Sequence, residues 1–321
     1  MDEIIRTDRV SKNFGKVRAV REVSLSVRAG EIYGFLGLNG AGKTTTIRML
    51  LGMIRPTFGT AWIKGVEVNA GAVGLWKHVG SLVEMPSFYP DLTVRENLEI
   101  ERRLRLVDKA SSVEHAMERL GLTRYSDRKA KNLSLGNAQR LGLAKALVHD
   151  PEILILDEPA NGLDPAGIAE IRELLIGLAR DHGITVFVSS HILTEVAKLA
   201  TRIGIIHEGR LVTEADADRL DSLLRRRLLV AARDNAAARE ALAKGGFAVT
   251  DAGQDLLEVR DEGALRDPGA VATLLVEAGC PPVLLRVEEE ELESFFLRTV
   301  GGNGGAAAGN GEDVRGNGGA E

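Results

Sequence analysis

Eight residues carry the first chemical signal. Gly37-Leu38-Asn39-Gly40-Ala41-Gly42-Lys43-Thr44 follows the spacing G-x-x-x-x-G-K-[ST], which suits a loop that grips phosphate. Gly37, Gly40 and Gly42 let the backbone close into a nest whose N–H groups point at phosphate oxygens. Lys43 is placed to neutralise the β- and γ-phosphates, and the Thr44 hydroxyl to ligate magnesium. Thr45 continues into a helix whose positive N-terminal end favours the same anion. A second signal is the pair Asp157-Glu158 behind the apolar run Ile153-Leu154-Ile155-Leu156. Asp157 suits magnesium, directly or through water, and Glu158 suits the polarisation of an attacking water. The third is His191, after Ile184-Thr185-Val186-Phe187-Val188 and Ser189-Ser190, where its ring can hydrogen-bond a γ-phosphate. These residue types together describe phosphoryl transfer to water.

The elements needed to position them are legible nearby. Glu31-Ile32-Tyr33-Gly34-Phe35-Leu36 reads as a short buried strand entering the phosphate loop, and Thr45 to Leu51 as the helix leaving it. Upstream, Val23-Ser24-Leu25-Ser26-Val27 alternates as a half-buried strand does. Thr60 to Lys64 and Val79 to Val83 read as two more strands. Thr93-Val94-Arg95-Glu96 has capping-box spacing and opens a helix; another runs from Ser112 to Leu120. Ser134 is a plausible N-cap ahead of a helix from Leu141 to His149, and alone marks only that cap. Asp164 and Pro165 cap and begin a helix with Ile168, Ile171, Leu174, Leu175 and Leu178 on one face. Arg202 to His207 and Gly209 to Val212 read as a closing hairpin. The alternation argues an α/β fold with a mainly parallel sheet, interrupted over about 84–150 by a helical insertion.

Beyond Leu220 the pattern changes to β-α-β-β-α-β: an apolar run from Leu228, a helix Ala236 to Lys244, strands at Phe247 to Val249 and Leu256 to Val259, a helix Ala270 to Ala278, and a strand Val283 to Val287. A last helix, Glu290 to Val300, follows. This suggests a small ferredoxin-like α+β module over 221–300. Arg225-Arg226-Arg227 ahead of it reads as a solvated linker. The Gly-, Ala- and Asn-rich stretch 301–321 is expected to be disordered.

Composition narrows the partners. The 321 residues carry a net charge of −5, so no domain-wide positive field favours nucleic acid. Cys280 is the only cysteine; it reads as a core residue in a chain suited to a reducing cytoplasm. No window approaches the roughly 20 apolar residues of a membrane span, so any service to a membrane runs through a partner. The other histidines, His78, His115, His149, His182 and His207, read as surface or structural.

Taken together, these motifs resemble the nucleotide-binding subunit of ABC transporters over about residues 3 to 215, and imply its P-loop NTPase fold, ATP with Mg2+, and ATPase activity with Glu158 as base. The resemblance implies that Phe14 stacks on adenine with Val20 nearby. It implies a signature sequence at Leu133-Ser134-Leu135-Gly136-Asn137, with Ser134, Gly136 and Asn137 against ATP. It also implies a dimer-contact loop at Asn161-Gly162-Leu163-Asp164 and a switch histidine at His191. Leu135 stands where the family has glycine, Asn137 where it has glutamine, and Glu84 where it has the glutamine that touches magnesium or water. Glu84, Phe88-Tyr89-Pro90 and Leu135 resemble the exporters of bacitracin, lantibiotics and similar peptides, as does Leu292-Glu293-Ser294-Phe295-Phe296-Leu297. Implied partners are a second copy, head to tail, and a separate integral membrane permease that keeps this chain on the inner face of the cell membrane. A ribosome-acting relative would carry two phosphate loops, and a chromosome-maintenance relative a long coiled coil; this chain has neither. A regulatory member of the family fits the same residues.

Overall fold

A computed structural model describes residues 3–219, 225–253, 255–290, 294, 295 and 298. The chain divides into two compact units, Met1–Arg219 and Leu220–Glu321.

The first unit begins with β1 (Glu3–Phe14), a long strand that pairs antiparallel with β2 (Val17–Val23) and β3 (Ser26–Arg28). The single strand expected over Val23 to Val27 is therefore two. Thr7 on β1 divides them: its hydroxyl donates to Val23 O at 2.9 Å and accepts from Leu25 N at 3.0 Å. That side chain is buried, so the break satisfies backbone groups that a straight ladder would have used. Next come β4 (Ile32–Leu36), α1 (Lys43–Leu50), β5 (Phe58–Ile63), β6 (Val66–Glu67) and β7 (Val79–Leu82). β5 pairs antiparallel with β1, extending the first sheet to the order β2-β1-β5-β6.

After β7 the chain leaves the sheet for α2 (Val94–Leu104), α3 (Ser111–Arg119) and α4 (Leu135–Leu147). The capping box at α2 forms as its spacing requires, Thr93 accepting from Glu96 N while Glu96 reaches back to Thr93 N. Asn97, nearly inaccessible, fastens the preceding loop by bonds with Tyr89, Leu92 and Thr93 backbone atoms. Leu98, Val113, Met117, Leu141 and Leu147 share one apolar cluster with Leu154 and Val186 of the parallel sheet. α4 starts six residues earlier than expected. Ser134 caps it, and Ala138 and Gln139 are already buried, so its apolar face reaches back to the cap.

The chain returns with β8 (Ile153–Asp157), α5 (Pro165–His182), β9 (Thr185–Ser190), α6 (Leu193–Ala197), β10 (Arg202–His207) and β11 (Arg210–Asp216). The second sheet has the order β11-β10-β4-β9-β8-β7. All its neighbours are parallel except the β10–β11 hairpin. Every residue of β4 and β8 is buried, as continuous apolar runs in a sheet covered on both faces must be. Phe187 at its centre lies 5.4 Å from the Tyr33 ring and 5.3 Å from the Phe35 ring. Because β4, β8 and β9 run the same way, their C-terminal ends deliver three loops to one edge, where ligands bind in such sheets.

The second unit comprises β12 (Arg226–Ala232), α7 (Asn235–Lys244), β13 (Val249–Gly253), β14 (Leu256–Val259), α8 (Glu262–Arg266), α9 (Pro268–Glu277) and β15 (Pro282–Glu289). Its antiparallel sheet has the order β13-β14-β12-β15. Leu228, Val230, Leu257 and Val259 meet Ala238, Leu242, Val271, Leu275 and Cys280 in its core. Arg226 and Arg227 are strand residues, not linker: Arg226 pairs with Glu289 at 2.9 Å, and Arg227 with Glu288 at 2.6 Å and Glu258 at 2.9 Å. Glu289 and Glu288 stand opposite them on β15, and Glu258 stands opposite Leu229 on β14; they supply the charge that a linker would take from water. α8 is an element the strand-and-helix reading lacks. The tail 301–321 and most of the expected last helix lie outside the described residues.

Candidate active site

The loop between β4 and α1 is built on glycine for two steric reasons. Gly42 has φ +109°, and a Cβ there would stand 2.7 Å from Ala19 O. A Cβ on Gly37 would stand 2.5 Å from Ile206 O. No side chain fits either place, so the backbone of β10 and of the β1–β2 hairpin closes on the loop from outside. Lys43 is almost wholly buried and turns back into the loop. Its ammonium donates to Gly37 O at 2.7 Å and Leu38 O at 3.2 Å and lies 3.1 Å from Glu158 Oε1. Those three partners match the three N–H donors of the ammonium.

One residue further, Thr44 Oγ1 donates to Asp157 Oδ2 at 2.7 Å, while Ser189 Oγ donates to Asp157 Oδ1 at 2.6 Å. Glu158 begins the turn out of β8 with φ +50°, a left-handed conformation unusual for a residue with a Cβ. Its other carboxylate oxygen, Oε2, lies 2.7 Å from His191 Nδ1. Lys43, Thr44, Asp157, Glu158 and His191 therefore form one connected group across the ends of β4, β8 and β9. The cleft beside it is lined by Ala19, Asn39, Gly40, Gly42, Lys43, Thr44, Thr45, Glu158, Asn161 and His191.

Three sequence expectations need correction. Val20 is completely buried in the core; Ala19 lines the cleft instead, because alternation along β2 turns neighbouring side chains to opposite faces. Phe14 is the last residue of β1 and does not line this cleft. Its ring is half exposed, with the Lys12 ammonium 5.3 Å from its centre. Glu84 is outside the cleft: its carboxylate pairs with Arg48 at 2.5 Å, and its side chain is 56% exposed. Its φ of +58° turns the chain at the end of β7 so that the carboxylate meets α1. Ser134, Gly136 and Asn137 also lie apart from Lys43 within this chain; the resemblance implies them against the ATP of a second copy. They line a separate cleft with Leu135, Arg124, Tyr125, Gly162, Leu163 and Asp164. There Ser134 Oγ accepts from Asn137 N at 3.4 Å and from its side-chain amide at 3.0 Å. The loop 158–164 joins the two clefts, with Asn161 in the first and Gly162 to Asp164 in the second.

The oxygens present fit a magnesium ion held jointly with a ligand. Thr44 and Asp157 offer the hard donors that Mg2+ prefers. Among the described residues no group of three or more His, Cys, Asp or Glu could hold a metal alone, so the remaining ligands would be phosphate oxygens and water.

Sequence reasoning missed Ser189, Ala19 and Arg48. Only Ser189 had a signal, its place at the end of a buried strand in register with Asp157.

Comparison with known proteins agrees with this geometry. Residues 20–161 match the family model described as ABC transporter. The chain is 41% identical over 308 residues to the bacitracin transport ATP-binding protein BcrA of Bacillus licheniformis, covering 94% of this chain and 99% of the relative. It is 35% identical over 220 residues to the lantibiotic transport ATP-binding protein SrtF of Streptococcus pyogenes, covering 68% of this chain and 94% of that one. Among solved structures, the dimeric MJ0796 ABC transporter cassette superimposes with a TM-score of 0.61 at 27% identity, covering 66% of this chain and 98% of that one. A post-hydrolysis dimer of the same cassette, bound to ADP and Pi, gives 0.61 at 25% identity, with the same coverage. The chain belongs to the ABC transporter family, as an ATP-binding subunit with the family's ATPase fold.

Proposed function

We propose that this chain powers export of an antibiotic peptide or similar cargo by hydrolysing ATP at the group centred on Lys43, Asp157 and Glu158. The observation that carries the reading is the shared grip on Glu158, Lys43 at one carboxylate oxygen and His191 at the other. A γ-phosphate arriving at Lys43 competes with Glu158 for the ammonium, which leaves that carboxylate oxygen to accept a proton from water. His191 holds the other oxygen, so the base stays oriented while its partner changes. Thr44 and Asp157 would hold Mg2+, which when bound supplies charge neutralisation on the phosphates.

Because the serine-capped end of α4 faces a different cleft, one chain offers two half-sites. Two chains arranged head to tail complete each phosphate cleft with the partner's Ser134 and Gly136, an isologous dimer with ATP inside its interface. The dimeric neighbours support that arrangement. A permease partner is supported by exposed Met85 and Tyr89 in the loop after β7 and by exposed Leu104 and Leu106 at the end of α2, apolar side chains on the insertion that would suit a docking surface. No helix among the described residues is long and apolar enough to cross a membrane, so the path for cargo would belong to that partner. The relatives that transport bacitracin and lantibiotics support peptide antibiotics as the cargo class.

Copurification tests the reading. Tagged chain extracted from membranes with mild detergent should carry a hydrophobic permease and an ATPase activity abolished by Glu158→Gln. Recovery of the chain without any membrane protein, with full turnover in the variant, would overturn it.

A further inference from the structure

We propose that Ser189 is a positioning residue that sets both acidic groups of the ATPase site through a single hydroxyl; the inference rests on the ATPase reading above. Ser189 is completely buried. Its Oγ accepts from Glu158 N at 3.0 Å and donates to Asp157 Oδ1 at 2.6 Å. A serine hydroxyl has one proton and two acceptor sites, and an ionised carboxylate only accepts. The proton therefore goes to Asp157, and a lone pair receives the Glu158 N–H. The direction of both bonds is settled by this chemistry.

The arrangement follows from the sheet. β8 and β9 are parallel neighbours, and Asp157 lies opposite Ser189 in register. The last ladder position thus brings the serine side chain to the residue that ends β8 and to the N–H that follows it. Glu158 N also lies 3.2 Å from Ser189 O, and Glu158 O accepts from Asn161 N at 3.0 Å. The left-handed backbone at Glu158 is held from both sides. Two residues along, His191 takes the Glu158 carboxylate at 2.7 Å. The end of β9 therefore grips the base at backbone and side chain alike.

At Asp157 the consequence is rotational. With Ser189 on Oδ1 and Thr44 on Oδ2, the carboxylate plane is pinned and Oδ2 is the oxygen turned toward the phosphate loop. Removing the Ser189 hydroxyl leaves Oδ1 without that donor and lets the carboxylate turn, which loosens metal binding. It also leaves the N–H of Glu158 with only its longer bond to Ser189 O, which loosens the hold on the base. Both changes fall on carboxylates that bond Thr44 and Lys43, not on the backbone of the loop that holds the phosphates.

The test uses the full chain with Ser189→Ala and Ser189→Thr. Three quantities are read: affinity for ATP in EDTA, affinity for Mn2+ with saturating ADP followed by electron paramagnetic resonance, and kcat with KM. The proposal expects metal-free ATP affinity within about twofold of wild type in both variants. It expects Mn2+ affinity and kcat to fall about tenfold or more in Ser189→Ala, as loss of a group orienting a metal ligand does. Ser189→Thr, which keeps a hydroxyl, should recover most of both. Unchanged Mn2+ affinity and kcat in Ser189→Ala would overturn the assignment. So would metal-free ATP affinity and thermal stability falling in step with kcat in both variants, since that is the mark of a packing role. A wild-type chain that neither binds nor hydrolyses ATP would sink the ATPase reading itself, a result distinct from an active wild type beside an unaffected alanine variant.

Discussion

The two clefts of the first unit are built on different principles. The one at Lys43 is closed by charge: a buried ammonium, two carboxylates, two hydroxyls and an imidazole satisfy one another across three strand ends. The one at Ser134 is open, polar and almost without charge pairing; its residues cap a helix and bond to themselves, with the Arg140–Glu170 pair at its side. A buried, connected set of charges is a machine for chemistry. A capped helix end set beside a half-exposed Leu135 is a surface waiting for a complementary one. On the function proposed above, the chain carries catalysis on one face and completes a neighbour's catalysis on another.

The sharpest way to break that division is to attack the charged cleft. Lys43→Ala should lower ATP affinity by about two to three decades, since truncating one partner of a buried charge pair costs about 2–5 kcal/mol in binding; titration with ATP measures it. Glu158→Gln should keep ATP affinity and lower turnover about a hundredfold or more, the usual contribution of a positioned general base; single-turnover hydrolysis measures it. At the other cleft, Ser134→Arg should leave ATP affinity of the chain within about twofold while turnover falls about a hundredfold, the scale of losing one donor to a developing phosphate charge. Equal losses of affinity for Lys43→Ala and Ser134→Arg would erase the distinction.

Acid should act at a residue that lines neither cleft. His149 follows α4, and its Nε2 lies 3.1 Å from Val79 O. Burial, reinforced by the Arg105 guanidinium, pushes its pKa down from 6.5 to about 4. Above pH 6.5 the ring is neutral in folded and unfolded chains alike. As the pH falls from 6.5 toward 4, the unfolded chain takes up a proton that the folded chain resists, so stability drops by about 1–2 kcal/mol. Chemical denaturation across that range should show a shallower loss in His149→Gln. The smallest effect belongs to Arg48→Ala: its pair with Glu84 joins two exposed side chains, so stability should change by less than about 1 kcal/mol.

Legibility in the sequence followed the range of the interaction. The phosphate loop, the carboxylates after Leu156 and the histidine after β9 announce themselves because glycine spacing and buried apolar runs are local properties. The Thr93 capping box is local too, and forms as its spacing requires. The break between β2 and β3 was not legible, because Thr7 enforces it from another strand. The Arg48–Glu84 pair joins residues far apart in sequence, so the family position of Glu84 said nothing of where its carboxylate turns. Arg226 and Arg227 looked like linker because their glutamates arrive about 60 residues later, on β15. Val20 was misassigned for a narrower reason: strand alternation puts one of two neighbours on the cleft, and only the fold says which.

On the proposed function, ATP joins the Lys43 cleft of one chain to the Ser134 cleft of another. Sedimentation of Glu158→Gln with Mg2+ and ATP tests it most directly. The expected result is a doubled mass that reverts to the single chain with ADP, and no doubling when Ser134→Arg is added. A single-chain mass with ATP demonstrably bound, or a dimer indifferent to both nucleotide and Ser134→Arg, would contradict it.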